Sequence, residues 1–267
     1  MTSTTLQLSD HYGTLSCREA GSGAPLVLLH GVGMQSEAWG PQIAALSATH
    51  RVIALDMPGH GGSSPLPENA QLADFIDWLD ASITALELEH VCLAGHSMGA
   101  LIAAGYAATH PEKLTRVALL NGVFRRTNEA RNAVIARADV IRSGGFDLET
   151  PLTRWFGDSP IEQTARRQVS GWLSEVDLGG YATAYGAFAR GDDTYADRIS
   201  DIPCPFLAIT GDGDLNSTPA MSRAMAEAAP LGRAMVIKGH RHMVNLTAPD
   251  AVNAALADWL TTEGETS

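Results

Sequence analysis

The sequence predicts an α/β fold: a mostly parallel β-sheet flanked by helices, with a helical segment inserted late in the chain. Three observations predict it. Short apolar runs alternate with longer stretches of helical character. The runs are continuously apolar, as strands covered on both faces require. Residues 124–200 break the alternation and carry helical signals only.

In chain order, residues 14–21 (TLSCREAG) alternate in polarity and are expected as an antiparallel strand at the sheet edge. Strands covered on both faces are expected at 25–31, 51–56, 91–95, 116–122, 205–211 and 234–239, each closing on a glycine or a polar residue. Helices are expected at 36–48, 71–88, 98–109, 218–229 and 249–263, with Ser36, Ser217 or Thr218, and Pro249 as start signals. Strand–helix alternation of this kind calls for parallel strands joined by crossovers. Within 124–200, the segments 126–144, 160–176 and 181–193 read as helices separated by Gly, Pro and Asp. The chain therefore divides into a first core part at 1–123, a helical cap insertion at 124–200 and a second core part at 201–267, one domain overall.

Composition narrows the function. A chain of 267 residues, 45% hydrophobic and 18% charged, is long enough to bury roughly three quarters of its surface. A net charge of −12, without any Lys/Arg block, excludes a phosphate-binding footprint, so no nucleic-acid partner is expected. No run approaches the ~20 apolar residues of a membrane span, and the N-terminus has no signal-peptide pattern; a cytoplasmic protein is expected. Three distant cysteines, Cys17, Cys92 and Cys204, suit neither a disulfide framework nor a zinc site. No metal and no cofactor is expected, because the histidines lack ligand spacing and the glycine-rich 58–64 (PGHGGSS) lacks a phosphate-loop pattern.

The chemistry concentrates at residues 95–99, GHSMG. This is G-x-S-x-G after a strand and before a helix, the setting that gives the pattern its meaning. A strand that becomes a helix within a few residues leaves Ser97 on strained backbone, and glycines at 95 and 99 spare a collision with the neighbouring strand and helix. The hydroxyl then stands above the sheet beside N–H groups of a helix N-terminus, which can receive charge developing on an attacked carbonyl oxygen.

With this elbow, LLHGVGMQSEAW (28–39) and DMPGHGGSS (56–64), the chain resembles the α/β-hydrolase fold family over nearly its whole length. Within the family it is similar to small esterases and lactonases, of the pimeloyl-ester esterase and enol-lactonase kind, and C–C hydrolases are also similar. The resemblance implies Ser97 as nucleophile, followed along the chain by an acid and a histidine. The family's ending places the histidine seven residues before the proline of the last helix, which selects His242; His240 is left a structural hydrogen bond. The pattern G-x-x-D starting at Gly211 selects Asp214 over Asp212, and the alternative acid position is the neutral Asn121. Oxyanion donors are implied at the N–H groups of Met98 and Val32, with His30 supporting the loop.

The insertion holds ten of the 18 basic residues, all arginine. Arg125 and Arg126 follow the strand leading into it, and arginine suits bidentate carboxylate recognition. A carboxylate-bearing substrate is one reading. Ion pairing with the eleven Asp and Glu of the same segment is the other. Trp155 is a candidate for the substrate pocket, as are Phe146, Trp172 and Phe188, with packing between cap helices as the competing role. The expected activity is hydrolysis of a small-molecule carboxylic ester or lactone through an acyl-enzyme. The alternatives are cleavage of a C–C bond in a vinylogous diketone, and a ligand-binding receptor on the same fold.

Overall fold

The computed structural model describes residues 1–9 and 11–262. Residue 10 and residues 263–267, which end the expected second core part and the expected 249–263 helix, lie outside them. The described chain runs β1 (Thr2–Gln7), β2 (Thr14–Ala20), β3 (Pro25–Leu29), α1 (Gly40–Leu46), β4 (Arg51–Leu55), α2 (Leu72–Ala85), β5 (Val91–His96), α3 (Met98–Thr109) and β6 (Leu114–Leu120). Four helices follow: α4 (Asn128–Arg142), α5 (Glu149–Trp155), α6 (Pro160–Glu175) and α7 (Leu178–Arg190). The chain closes with β7 (Phe206–Gly211), α8 (Pro219–Ala228), β8 (Gly232–Ile237), α9 (Val244–Thr247) and α10 (Pro249–Thr261).

All eight strands form one sheet in the order β1-β2-β4-β3-β5-β6-β7-β8. The pairs β1–β2 and β2–β4 are antiparallel, and every other pair is parallel. Side chains alternate across a strand. Val27, Leu29, Ile53, Leu55 and Leu93 therefore pack under α2 and α3, while Leu26, Leu28, Val52, Ala54 and Ala94 pack against α1 and α10. Both faces are dry, which accounts for the uninterrupted apolar runs.

Helix α3 shows what close packing demands of sequence. Residues Met98 through Ala108 are all buried, and the helix (MGALIAAGYAAT) is built largely from Ala and Gly, so that it lies close against the sheet. The strand order reverses beside it. From β3 the chain goes to β4 on one side and later returns to β5 on the other, which opens a crevice beyond the carboxyl ends of β3 and β5, where α/β sheets bind ligands.

Three elements escape the sequence reading. Strand β1, TSTTLQ, is exposed on most of its residues and pairs only with β2, so it carries no apolar signal. Helices α5 and α9 have only seven and four residues, too short to display a helical period. At the other boundaries, Thr218 caps α8 by accepting from the Met221 N–H at 3.3 Å, whereas Ser36 opens a 3₁₀ turn that leads into α1.

A Cβ at Gly95 would overlap the Gly99 carbonyl, and one at Gly99 would overlap the Leu29 carbonyl. These obstacles are backbone in the sheet's centre and cannot step aside. Gly99→Ala should therefore lower the unfolding free energy by about 1–3 kcal/mol. Urea denaturation measures it, and a loss within about 0.5 kcal/mol, as for a surface change, would contradict this packing.

Candidate active site

Four loops at the carboxyl ends of β3, β5, β7 and β8 meet at one point. Ser97 follows β5 with φ 54° and ψ −110°, an uncommon backbone region for a residue with a side chain. Its N–H is tied to the Leu120 carbonyl at 2.9 Å, so the sheet itself holds the strained residue. Strain of this kind costs of order 1–3 kcal/mol and persists only where the surroundings fix it.

His242, on the loop after β8, sets its Nε2 3.2 Å from Ser97 Oγ and its Nδ1 2.8 Å from Asp214 Oδ2. All three side chains are buried. The Asp214 carboxylate is fully engaged. Its Oδ2 also accepts from Asn121 Nδ2 at 2.8 Å, and its Oδ1 accepts from the N–H groups of Asn216 and Ser217 at 2.8 and 3.1 Å. Burial alone would raise its pKa; the charge and hydrogen bond of His242, with those of Asn121 and Ser217, more than offset burial and hold it below the usual carboxylate range. An ionised Asp214 can orient the imidazole with Nδ1–H toward it, an arrangement that leaves Nε2 able to take the serine proton.

Among the described residues the N–H groups of Val32 and Met98 have no acceptor, and Val32 lines the cavity beside Ser97. Three buried histidines brace this corner. His30 Nε2 accepts from the Met57 N–H at 2.9 Å, His60 Nε2 accepts from the Gly33 N–H at 2.9 Å, and His96 Nε2 lies 2.8 Å from the His242 carbonyl. Of the two passed-over candidates, His240 contacts Thr247 Oγ1 at 3.0 Å and Asp212 accepts from the Gly239 N–H at 2.8 Å. Both fasten loops. Arg241 donates to the carbonyls of Thr153 and Phe156 at 2.9 and 2.7 Å, which brackets Trp155. Trp155 in turn lies over His242, with ring centroids 5.6 Å apart and planes 27° from parallel.

Ser97 and His242 open into a cavity of about 460 Å³, the size of a small-molecule site. Val32, Trp155 and Arg126 line it, and so do Arg137, Arg154, Tyr185 and Phe188. Arg125 does not. Its backbone is left-handed (φ 45°) and its guanidinium pairs at the surface with Asp197, so neighbouring Arg125 and Arg126 leave the chain in different directions. Phe146 and Trp172 pack into the core instead, against Tyr181 and by a hydrogen bond to Glu37 respectively. Arg137 and Arg154 were not singled out by the sequence; the one available signal was the all-arginine bias of the insertion.

The three cysteines are buried, and burial pushes the thiols of Cys17 and Cys204 up to about 11. Among the described residues, no His, Cys, Asp and Glu cluster could hold a metal, and no helix is long and apolar enough to cross a membrane.

The profile of the Alpha/beta hydrolase family matches residues 26–255. The chain belongs to that family, and it is a hydrolase. It is 55% identical over 262 residues to the (E)-2-((N-methylformamido)methylene)succinate hydrolase of Acinetobacter baylyi, covering 98% of this chain and 99% of the relative. Among solved structures it superposes on an esterase from Thermogutta terrifontis with a TM-score of 0.86 at 25% identity, covering 97% of this chain and 98% of the other. The enol-lactonase of Burkholderia xenovorans LB400 superposes with the same TM-score, 0.86, at 26% identity, covering 97% of this chain and all of the other (100%).

Burial, with His60 beside His30 and His242 beside His96, holds the pKa of His30 and His96 down to about 3. Unfolded, each titrates near 6.5, so between those values the unfolded chain binds protons that the folded one does not. Stability is then full above about pH 6.5 and falls as pH drops, by about 1.4 kcal/mol per unit for each histidine. From pH 7.5 to 5.5, these two residues should remove about 3 kcal/mol of unfolding free energy. Urea titrations at the two pH values measure it, and equal values would contradict the neutral, buried state.

Proposed function

We propose that this chain is a serine hydrolase that cleaves the acyl bond of a small, conjugated dicarboxylate, of the kind named for the 55%-identical relative. The observation that carries the reading is the hydrogen-bonded line Asp214–His242–Ser97, ending on the floor of a closed-in cavity. In this reading Ser97, His242 and Asp214 are the catalytic residues, and the Val32 and Met98 N–H groups form the oxyanion hole. The helices of residues 124–200 act as a cap, supplying the cavity wall that faces Ser97.

The steps follow from the positions. Ser97 Oγ attacks the acyl carbon while His242 Nε2 takes its proton, and the carbonyl oxygen gathers charge against the two N–H groups. The bond to the leaving nitrogen breaks, and His242 returns the proton to that nitrogen. A water molecule, deprotonated by the same Nε2, then attacks the acyl-serine and frees the acid. Asp214 stays ionised throughout and stabilises the imidazolium.

An N-formyl enamine is a fitting amide for this machinery. Its nitrogen lone pair is shared between the formyl group and the unsaturated acid, so the formyl carbon is more electrophilic than in a simple amide. The departing nitrogen is stabilised by the same conjugation. The C–C alternative draws on a similar vinylogous system. A second reading, hydrolysis of a simple carboxylic ester or lactone, is supported by the esterase and enol-lactonase neighbours at 25 and 26% identity, and would use the same residues.

Incubation with (E)-2-((N-methylformamido)methylene)succinate should release one formate per substrate, read by mass spectrometry. Ser97→Ala should reduce kcat by at least about 10⁴-fold and Asp214→Asn by about 10⁴-fold. Turnover surviving Ser97→Ala would reject the nucleophile. Hydrolysis of aryl esters or lactones with no formate release would favour the second reading.

A further inference from the structure

The acyl-transfer chemistry leaves one wall of the cavity unexplained. The protein has 30 acidic and 18 basic residues, yet the cavity is lined by three arginines and by no Asp or Glu. They form a series in depth: Arg126 is buried, Arg137 half-buried and Arg154 exposed.

Arg126 is built in. Asp192 accepts from the Arg126 backbone N–H at 2.7 Å and faces its Nη1 at 3.2 Å, while Nη1 also lies 3.3 Å from the Phe188 carbonyl. The guanidinium is stacked over the Phe188 ring, 4.4 Å from its centre. Arg131 also pairs with Asp192, at 3.1 Å, so that carboxylate is shared between two cations. This leaves Arg126 Nη2 buried without any hydrogen-bond partner. A buried, unpaired N–H of a charged group is costly and is normally satisfied. Arg126 itself lines the cavity, so an anion bound there is placed to draw the guanidinium toward it and complete its set of partners.

The other two guanidiniums are equally uncommitted. Among the described residues, neither Arg137 nor Arg154 forms an ion pair or a side-chain hydrogen bond. All three line the same cavity as Tyr185. Burial raises the pKa of the Tyr185 phenol, and the positive charges of Arg137, Arg126 and Arg154 oppose that rise. Asp147, which feels Arg137, is engaged in accepting from the Glu149 and Thr150 N–H groups.

We infer that Arg126, Arg137 and Arg154, which line one cavity with Tyr185, form a single receptor for a dianion and are the residues that make this hydrolase select a dicarboxylate. The inference rests on the proposed acyl chemistry for the orientation of substrate toward Ser97, but the receptor itself binds without turnover. Guanidinium–carboxylate contacts supply paired, directional hydrogen bonds that a neutral ester of the same shape cannot use. The free Nη2 of Arg126 fixes the inner carboxylate. Arg137 and Arg154 meet the outer one nearer the mouth.

The test is calorimetric titration of Ser97→Ala protein with methylenesuccinate and, separately, with its dimethyl ester. The dianion should bind at least about 10-fold more tightly than the diester. That preference should collapse in Arg137→Gln and shrink less in Arg154→Gln, whose charge is exposed and screened. Arg126→Gln strands Asp192 with only Arg131, so Arg126→Lys, which keeps the charge and loses the fork, is the second variant there; it should weaken dianion binding and leave diester binding unchanged. Equal binding of dianion and diester, or a dianion preference that survives both Arg137→Gln and Arg154→Gln, would overturn the inference. Selective dianion binding by the Ser97→Ala protein, with wild-type protein releasing no formate, would overturn the proposed acyl chemistry alone and leave the dianion receptor standing.

Discussion

The structure depends on one corner, where β5 turns into α3 at Ser97. A strand in the middle of the sheet has to become a helix packed on that same sheet without room for an intervening loop. Glycines at 95 and 99 allow the two elements to touch backbone to backbone, and the serine between them takes the strained conformation that results. Because β3 lies beside β5 and the strand order reverses there, the loop carrying Val32 is brought next to the serine. The loops after β7 and β8 then carry Asp214 and His242 across the same edge. Ser97's hydroxyl gains its partners through sheet order, since the three residues lie far apart in sequence.

Buried charge is handled in the same manner throughout. Asp214 is enclosed, yet each of its oxygens receives donors, so ionisation costs little and the carboxylate can hold His242 in one orientation. Asp192 is enclosed between Arg126 and Arg131 and tied to backbone. The difference lies in what is left over: Asp214 leaves no free valence, whereas Arg126 keeps one nitrogen unpaired beside the cavity. A completed network suits a residue that orients a base. An incomplete one suits a residue awaiting a ligand.

Much of this could be read from sequence because it is written in backbone constraints. Gly95 and Gly99 around Ser97 and the apolar runs of the central strands are local patterns with few structural solutions, whereas His242 ahead of Pro249 is picked out only by the family resemblance. Strand β1 escapes the sequence because most of its residues are exposed and its one apolar side chain, Leu6, makes no run. Helix α5 was missed for its brevity, although it carries Arg154 and Trp155. That Arg126 and not Arg125 enters the cavity turns on a left-handed residue that sequence does not disclose, and the meeting of Arg137 and Arg154 in one cavity depends on how α4, α5 and α7 pack. Side-chain direction on irregular or inserted segments is set by tertiary contacts, and no periodicity records it.

The central claim is that Ser97 Oγ is the attacking atom and that the Val32 and Met98 N–H groups receive the charge it creates. A crystal structure of the protein inactivated by a fluorophosphonate tests this most directly. The account predicts phosphorus bonded to Ser97 Oγ, with the phosphoryl oxygen at about 2.7–3.1 Å from both backbone nitrogens. Phosphorus on another residue, or a phosphoryl oxygen turned away from both N–H groups, would contradict it.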